Sequence, residues 1–340
     1  MSKNEIEWYN PNRLLSYNAL ISIVLSPRGN GKSYSAKERI IKDWKKDGSQ
    51  AVYIRRTKVE IDEVKLTYWN DISLNPKYAD LDFSIKGDIG YINGKEVVHF
   101  IPLSTSTNKK SASYPKVKTV IFDEYIITKT TYNRYLKNEV NLLLDLYETI
   151  ARTRENVRML TLSNAVSFVN PLFTFFDIVP NPNERFQVFK DGLICLELFY
   201  DNKFAENKKE SKFGRLVEGT QYGAYVVENK PLEDSEEFIR ERGSDRYQYL
   251  CSFKTEDFII GVWRNLSEGG LLCDERIDIS RKRQFAVQLS DLSEGYLYLK
   301  KVRFDYECLN AVMKANACGT LFYTTQEVKK IMQERVLPWL

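Results

Sequence analysis

The sequence predicts an α/β fold in its larger part, a mostly parallel sheet with helices on both faces, followed by a smaller α+β domain. Apolar, strand-like segments lie at 21–25, 51–55, 97–101, 118–122 and 158–162. Helical periodicity at 33–46 and 139–151 separates some of them, and strands that alternate with helices are typical of parallel sheets. From residue 247 the pattern changes to short β runs, which predicts the second domain.

Two segments of the first part do not follow this alternation. In 82–101, Gly87, Gly90 and the Asn93-Gly94 pair separate short β runs, which predicts an antiparallel meander. The second segment, 201–232, is mostly polar. We therefore expect a first domain at 1–200, a linker at 201–232 and a second domain at 233–340. The second domain is expected to contain short strands at 247–254, 258–263, 271–273 and 285–289, and helices at 306–317 and 325–335.

The first strand runs directly into a glycine-containing loop, in the sequence LISIVLSPRGNGKS at 20–33. Gly29 and Gly31 let the backbone turn its N–H groups toward phosphate oxygens, and the helix that follows directs its positive end at the same anion. The loop departs from the usual GxxxxGK[ST] pattern at its first position. The residues expected to bind a nucleotide are Ser26, Pro27, Arg28, Gly29, Asn30, Gly31, Lys32 and Ser33.

Another apolar strand ends in two adjacent carboxylates, in the sequence TVIFDE at 119–124. Asp123 and the Ser33 hydroxyl would hold Mg²⁺, Lys32 would reach the β and γ phosphates, and Glu124 would polarise the attacking water. The Asp-Glu order favours a hydrolase over a kinase. Together the two motifs predict a P-loop NTPase of the ASCE type that uses ATP and Mg²⁺.

Polar side chains after the helix at 139–151 add candidates to this site. Arg152, Arg154 and Arg158 follow that helix, and one of them could reach a neighbouring subunit's γ-phosphate as an arginine finger. Spacing alone leaves open the alternative that they cover the carboxyl end of their own helix. Asn164 follows the next strand and could sense the γ-phosphate, or could simply form a turn.

Two segments are basic and contain no acidic residue. Residues 108–118 carry Lys109, Lys110, Lys116 and Lys118, and residues 128–137 carry Lys129, Arg134 and Lys137 among tyrosines. Such groups can neutralise nucleic-acid phosphates without reading sequence, although a charged run is more often a solvated surface. The net charge is only +4, from 50 basic and 46 acidic residues, so a few local groups would have to bind any nucleic acid.

Composition excludes several other classes of protein. No apolar stretch approaches the ~20 residues that a membrane helix needs, and the N-terminus lacks a signal-peptide pattern. Five widely spaced cysteines indicate reduced thiols in a cytoplasmic protein, without a zinc site. The single histidine, His99, excludes histidine-rich metal sites.

The motifs in combination resemble one family, the genome-packaging ATPases (encapsidation proteins) of small short-tailed phages of the phi-twenty-nine type. The similarity covers most of the chain and is weaker beyond about residue 265. It lies in the segments YNPNRLLSYNALI, SPRGNGKSY, VYIRRTK, ASYPKVKTVIFDEY, NEVNLLLDLYETIARTRENVRMLTLSNAVSFVNP and SKFGRLVEGTQYG. The resemblance implies a homomeric ring, usually of five subunits, which uses ATP to drive double-stranded DNA through the portal of a procapsid.

The resemblance also implies partners, a location and residue roles. The ring would work in the cytoplasm of the infected bacterial host, transiently on the procapsid, and a structural packaging RNA is left open as a further partner. Arg152 matches the arginine finger, with Arg154 beside it at the subunit interface. Lys58 and Lys110 match positions near the subunit interface, and Lys129 matches a pore-loop lysine that contacts DNA.

For the second domain, the resemblance implies an RNase H-like nuclease fold that has lost its catalytic carboxylates. Asp274, Glu275 and Asp278 are then surface acids and not a metal-binding group. Two other functions remain as alternatives: a large-terminase-like ATPase that also cuts DNA, and a P-loop phosphotransferase that acts on a small molecule. A purely structural capsid protein would leave the predicted ATP site without a purpose.

Overall fold

The chain forms two compact units, Met1–Glu233 and Asp234–Leu340. The computed structural model describes residues 8–109, 111–127, 135–164, 167–168, 170–181, 183–220, 223, 238–244, 246–256, 258–280 and 283–340. Part of the predicted linker is helical and belongs to the first unit. The predicted boundaries at 201 and 232 stay predictions.

Among the described residues of the first unit, nine strands form one sheet in the order β3-β4-β5-β2-β6-β7-β1-β9-β8. The five central pairings, from β5 through to β9, are parallel, and the pairings at both ends of the sheet are antiparallel. The strands are β1 (Ile21–Ser26), β2 (Gln50–Arg55), β3 (Phe83–Lys86), β4 (Ile89–Ile92), β5 (Lys95–Pro102), β6 (Val117–Asp123), β7 (Arg158–Asn164), β8 (Phe186–Phe189) and β9 (Ile194–Leu198).

This sheet confirms the predicted α/β class and the antiparallel meander. The meander is β3, β4 and β5, and Asn93 and Gly94 both have positive φ in the tight turn between β4 and β5. Strand β7 lies between β1 and β6, so the loop strand and the Asp-Glu strand are separated by one strand, as in ASCE-type P-loop NTPases. The edge pair β8 and β9 was not predicted.

Helices cover both faces of the sheet, as the sequence predicts. On one face α2 buries Ala36, Ile40 and Ile41, and on the other α5 buries Leu143 and Leu146 among different core residues. The helices are α1 (Asn12–Ser16), α2 (Lys32–Asp47), α3 (Lys58–Thr67), α4 (Asn70–Ser73), α5 (Glu139–Ala151), α6 (Pro171–Phe176), α7 (Asn202–Glu210) and α8 (Lys212–Val217), with 3₁₀ turns at Pro76–Tyr78, Leu103–Lys109 and Lys190–Gly192.

The second unit is an α+β domain whose described strands follow the order β14-β13-β10-β11-β12-β15. Three consecutive antiparallel strands, β10 to β12, are extended by β13 and β14 in parallel on the β10 side, which is the strand order of an RNase H-like sheet. The strands are β10 (Tyr247–Lys254), β11 (Ile259–Asn265), β12 (Leu271–Asp274), β13 (Gln284–Ala286), β14 (Leu297–Tyr298) and β15 (Leu321–Tyr323).

Helices in the C-terminal part of the second unit complete its hydrophobic core. Leu309 and Val312 pack with Phe253, Val262 and Phe285 of the sheet, all fully buried. The helices are α9 (Leu299–Val302), α10 (Glu307–Ala317) and α11 (Gln326–Ile331), followed by a π turn at Met332–Val336 and 3₁₀ turns at Leu289–Asp291 and Leu337–Trp339.

Among the residues that the structure describes, none forms a helix long and apolar enough to cross a membrane.

Candidate active site

The carboxyl ends of four central strands bring the predicted site residues to one edge of the sheet. Ser26 at the end of β1 is in register with Asn164 at the end of β7, and Asp123 at the end of β6 is in register with Leu162 of β7. Strand β2 pairs with β6 and ends at Arg55. Since neighbouring strands lie about 4.8 Å apart, side chains at these ends can meet.

The loop between β1 and α2 has the backbone that a phosphate site needs. Gly29 and Gly31 have φ of 95° and 84°, and Gly31 is the N-cap of α2. Its left-handed conformation starts α2 with the first N–H groups directed at the loop, where the helix dipole favours an anion. Both side-chain polar atoms of Asn30 are buried and lack a hydrogen-bond partner among the described residues. The loop therefore fits a phosphate group.

Lys32 lies at the base of this loop with its amine surrounded by oxygen atoms. Its Nζ donates to Ser26 Oγ at 2.8 Å, to Pro27 O and Asn164 Oδ1 at 3.1 Å, and to Ser26 O at 3.2 Å. Burial lowers the pKa of Lys32 to about 7, against the opposing effect of Asp123 and Glu124. Ser26, which replaces the usual glycine, thus supplies two of the oxygens that hold the amine.

The predicted magnesium ligands are in direct contact. Ser33 Oγ donates to Asp123 Oδ2 at 2.8 Å, and the buried Tyr53 hydroxyl donates to the same oxygen at 2.7 Å. The backbone N–H of Glu124 donates to Asp123 Oδ1 at 3.0 Å. A hydroxyl and a carboxylate are hard oxygen ligands of the kind that Mg²⁺ prefers, so this pair fits the ion. Sequence reasoning missed Tyr53, which orients the Asp123 carboxylate.

Glu124 is held by an arginine that sequence reasoning also missed. Arg55 Nη2 donates to Glu124 Oε2 at 2.7 Å, and the glutamate side chain is 57% exposed. Glu124 has a positive φ of 54°, an uncommon conformation for a residue other than glycine and one that is enriched at functional sites. Arg55 thus holds one oxygen of the Glu124 carboxylate through the ion pair, and the side chain remains accessible to water.

Two elements outside the motif contact the loop. Lys208 Nζ of α7 donates to the carbonyl of the exposed Arg28 at 2.6 Å. A Cβ atom on Gly29 would lie 3.6 Å from Phe204, and one on Gly31 would lie 3.4 Å from Trp8. Aromatic residues from the N-terminal segment and from α7 therefore pack against the two glycines. No sequence signal joined these distant segments to the loop.

The three arginines after α5 have different surroundings. Arg154 donates to the carbonyls of Tyr114, Pro115 and Val117 and to that of Ile150 in its own helix. Its guanidinium is therefore satisfied within one subunit, as the helix-covering alternative predicts. Arg158 likewise donates to Leu15 O at 3.0 Å.

Arg152 is exposed, and among the described residues its guanidinium makes a single contact, from Nη2 to Ala112 O at 3.4 Å. It ends α5 with φ 50° and ψ −117°, a strained conformation for arginine. Of the three arginines, Arg152 is exposed, whereas Arg154 and Arg158 are half-buried.

The predicted DNA and interface lysines are only partly described. Lys58 is exposed at the first position of α3, and Lys137 is exposed just before α5. Lys110, Lys129 and Arg134 lie outside the described residues. The roles of these five residues stay predictions.

In the second unit, the predicted surface acid Asp274 is instead 7% exposed. Its Oδ2 accepts from Arg242 Nη1 at 2.8 Å, and its Oδ1 accepts from the backbone N–H of Arg276. Burial at the end of β12 explains the difference, because the carboxylate pairs with an arginine that shields it from solvent. The predicted absence of nuclease activity stays a prediction.

The sheet order and the Lys32, Ser33, Asp123 and Glu124 cluster define a P-loop NTPase of the ASCE type. The sequence model of the podovirus DNA encapsidation protein (Gp16) family matches residues 2–337. The chain therefore belongs to that family, as its motifs predict.

Individual relatives agree with this assignment. The chain is 37% identical over 327 residues to the DNA packaging protein of Bacillus phage phi29, covering 96% of both proteins. It matches a chain of the bacteriophage Phi-29 viral genome packaging motor assembly with a TM-score of 0.73 and 35% identity, covering 96% of this chain and 98% of that one. The N-terminal domain of the phi29 DNA packaging ATPase matches with a TM-score of 0.52 and 42% identity, covering 56% of this chain and 96% of that domain.

The low pKa of Lys32 makes the stability of the protein without added nucleotide depend on pH. Between about pH 7 and pH 9 the unfolded chain keeps a proton on Lys32 that the folded protein has lost, so the free energy of unfolding should rise by roughly 2 kcal/mol. Urea unfolding at several pH values, compared with Lys32→Met, measures this contribution. The prediction would be contradicted if the free energy of unfolding changed with pH equally in wild type and in Lys32→Met.

Proposed function

We propose that this chain is the ATP-driven subunit of a ring that moves double-stranded DNA through a portal into a procapsid. The observation that carries the proposal is the Lys32, Ser33, Asp123 and Glu124 cluster at the edge of an ASCE-type sheet. Membership of the DNA encapsidation family and the match to a chain of the phi29 packaging motor support the DNA and portal partners. The ring would act in the host cytoplasm, transiently on the procapsid, and an RNA tether remains an open part of the proposal.

Each site residue has a role that its position supports. The N–H groups of the loop and Lys32 would bind the triphosphate, with Arg28 and Asn164 beside it, and Ser33 and Asp123 would hold Mg²⁺. Bound Mg²⁺ would neutralise charge on the phosphates. Glu124, whose carboxylate is held by Arg55, would orient the attacking water.

The proposed ring makes Arg152 the arginine finger that acts on the neighbouring subunit's site. Its exposure at the end of α5 supports this role, whereas the carbonyl contacts of Arg154 support a structural role for that residue. Lys58 and Lys110 are proposed at the subunit interface, and Lys129, Arg134 and Lys137 are proposed to contact DNA phosphates.

Replacing Glu124 by glutamine tests the hydrolysis site. Glu124→Gln keeps the shape of the side chain but cannot orient and deprotonate water as a carboxylate does, so turnover should fall by about 10²-fold or more while ATP affinity changes little. ATP binding by fluorescence and phosphate release measure the two effects. Exposed Glu155→Gln is the matched control and should behave like wild type. Near-wild-type turnover in Glu124→Gln would remove this residue from the catalytic role.

Mixed rings test whether Arg152 acts on the neighbouring subunit. Arg152→Ala alone should lose about 10³-fold in turnover, because the finger stabilises charge in the transition state. Mixing it with Glu124→Gln subunits should restore part of the activity, since one type of interface then has both a finger and a glutamate.

Arg154→Ala is the control for this experiment. It leaves several backbone carbonyls without a donor and should lower thermal stability, with no recovery on mixing. If Arg152→Ala assembles but no mixing ratio restores activity, Arg152 does not act in trans.

Replacing Lys129 by alanine tests the DNA contact. Because phosphate contacts are independent of sequence and sensitive to salt, Lys129→Ala should keep basal ATPase activity but lose DNA stimulation and packaging. Exposed Lys95→Ala, at the first position of β5, is the control for loss of one positive charge. If Lys129→Ala packages DNA normally, Lys129 is not the DNA contact, and Arg134 and Lys137 are the next candidates.

A further inference from the structure

A buried ion pair joins the end of β2 to the start of α5. The side chains of Arg56 and Glu139 are only 2% and 4% exposed. The contact is bidentate, with Arg56 Nε to Glu139 Oε2 at 2.6 Å and Arg56 Nη2 to Glu139 Oε1 at 2.8 Å. Burying two charges has a large desolvation cost, and apolar side chains of similar volume often give equal stability. The pair is therefore poorly explained by stability alone.

Arg56 also holds the backbone that carries Glu124. Its Nη2 donates to Tyr125 O at 2.7 Å, and its Nη1 makes a longer contact of 3.5 Å with Glu124 O. The guanidinium lies over the rings of Phe122 and Tyr135, 5.7 Å and 5.1 Å from their centres. These contacts hold the two consecutive carbonyls that follow the Cα of Glu124, the residue with the positive φ.

Glu139 extends the connection to helix α5. Its Oε2 accepts from the backbone N–H of Leu136 at 2.9 Å, and the hydroxyl of Tyr135 accepts from the backbone N–H of Ile127 at 3.2 Å. Helix α5 then runs from Glu139 to Ala151, about 20 Å for its length, and ends at Arg152. One buried arginine is thus connected to the Glu124 turn and, through a rigid helix, to Arg152.

We propose that Arg56, through Glu139, is a positioning residue that makes the Glu124 turn and the α5 helix move as one unit. The orientation of Glu124 in one subunit would then be coupled to the position of Arg152 of the same subunit, which acts on the neighbouring site. Arg55 holds the Glu124 carboxylate and Arg56 holds its backbone, so consecutive residues of the β2 end act on the same glutamate. This inference rests on the proposed roles of Glu124 and Arg152.

Arg56→Lys tests the effect within one subunit. Lysine keeps the charge opposite Glu139 but lacks the planar fork that contacts Glu139 and Tyr125 O together. We expect ATP affinity within about threefold of wild type and turnover reduced about 10- to 100-fold, the effect of a small displacement of a catalytic group. Unchanged turnover, or turnover and ATP affinity lost in equal proportion, would overturn the proposal, since the second result indicates general distortion.

The apolar pair Arg56→Met with Glu139→Leu separates positioning from stability. It leaves no buried charge unpaired and otherwise removes the hydrogen bonds to Tyr125 O and from the N–H of Leu136, so the protein should stay folded at the assay temperature, as a melting curve will show, while turnover still falls. The ion pair of Arg39 and Asp43, further along α2 from Ser33, provides the control Arg39→Met with Asp43→Leu, which should keep its turnover. Wild-type turnover in the Arg56 pair variant would overturn the proposal.

Mixed rings test the connection to Arg152. Arg152→Ala subunits, which keep Glu124, are mixed with Glu124→Gln subunits, which keep Arg152. The second kind is called the donor, because it supplies Arg152 to the sites of the first. The activity recovered should fall to less than half when the donor also carries Arg56→Lys. Equal recovery with both donors would overturn the link to α5. If the Glu124→Gln donor itself restores nothing, the trans role of Arg152 fails, while Arg56→Lys alone still decides the effect on Glu124.

Discussion

The parallel pairing of β2, β6, β7 and β1 is the constraint on which the rest of the molecule depends. Parallel neighbours end on the same side, so four turns and their polar side chains meet at one edge. The pairing of Ser26 with Asn164 places both beside the Lys32 amine, and the position of β6 next to β2 places Asp123 beside Tyr53. A shift by one residue in either pairing would turn these groups to opposite faces.

Those parts of the site that are local in sequence could be predicted. The turn with Gly29 and Gly31, the lysine and hydroxyl that begin α2, and the carboxylates that end β6 each follow an apolar strand directly, so the strand itself positions them. Tyr53 and Arg55 could not be assigned in this way. A tyrosine within a strand resembles any core residue, and an arginine at a strand end resembles any solvated residue, until the pairing of β2 with β6 brings them to Asp123 and Glu124.

The fold shows the same division between local and long-range information. The ends of α2 and α5 were predicted closely, because their buried residues repeat with helical spacing. Strand β9 was missed although its first three residues are fully buried, since the charged Glu197 interrupts its apolar pattern. That carboxylate is buried through its ion pair with Arg185, a partner twelve residues away that periodicity cannot reveal. Arg152 and Arg154 differ in the carbonyls available to them, which depend on the folded position of residues 112–117.

The oxygen shell around Lys32 determines which contacts a phosphate at this loop would have to replace. Two of the oxygens come from Ser26 and one from Asn164, so the lysine has acceptors that belong to the protein itself. A phosphate bound to the amine would replace some of these contacts, and its net contribution to the binding free energy would be the difference between two sets of hydrogen bonds. The same oxygens would accept hydrogen bonds from Lys32 again once the phosphate had dissociated. The Ser26 hydroxyl is the one oxygen of this shell that a glycine at this position would lack, because Ser26 O and Pro27 O are backbone carbonyls. A phosphate would therefore compete with one acceptor more than in a loop with glycine there.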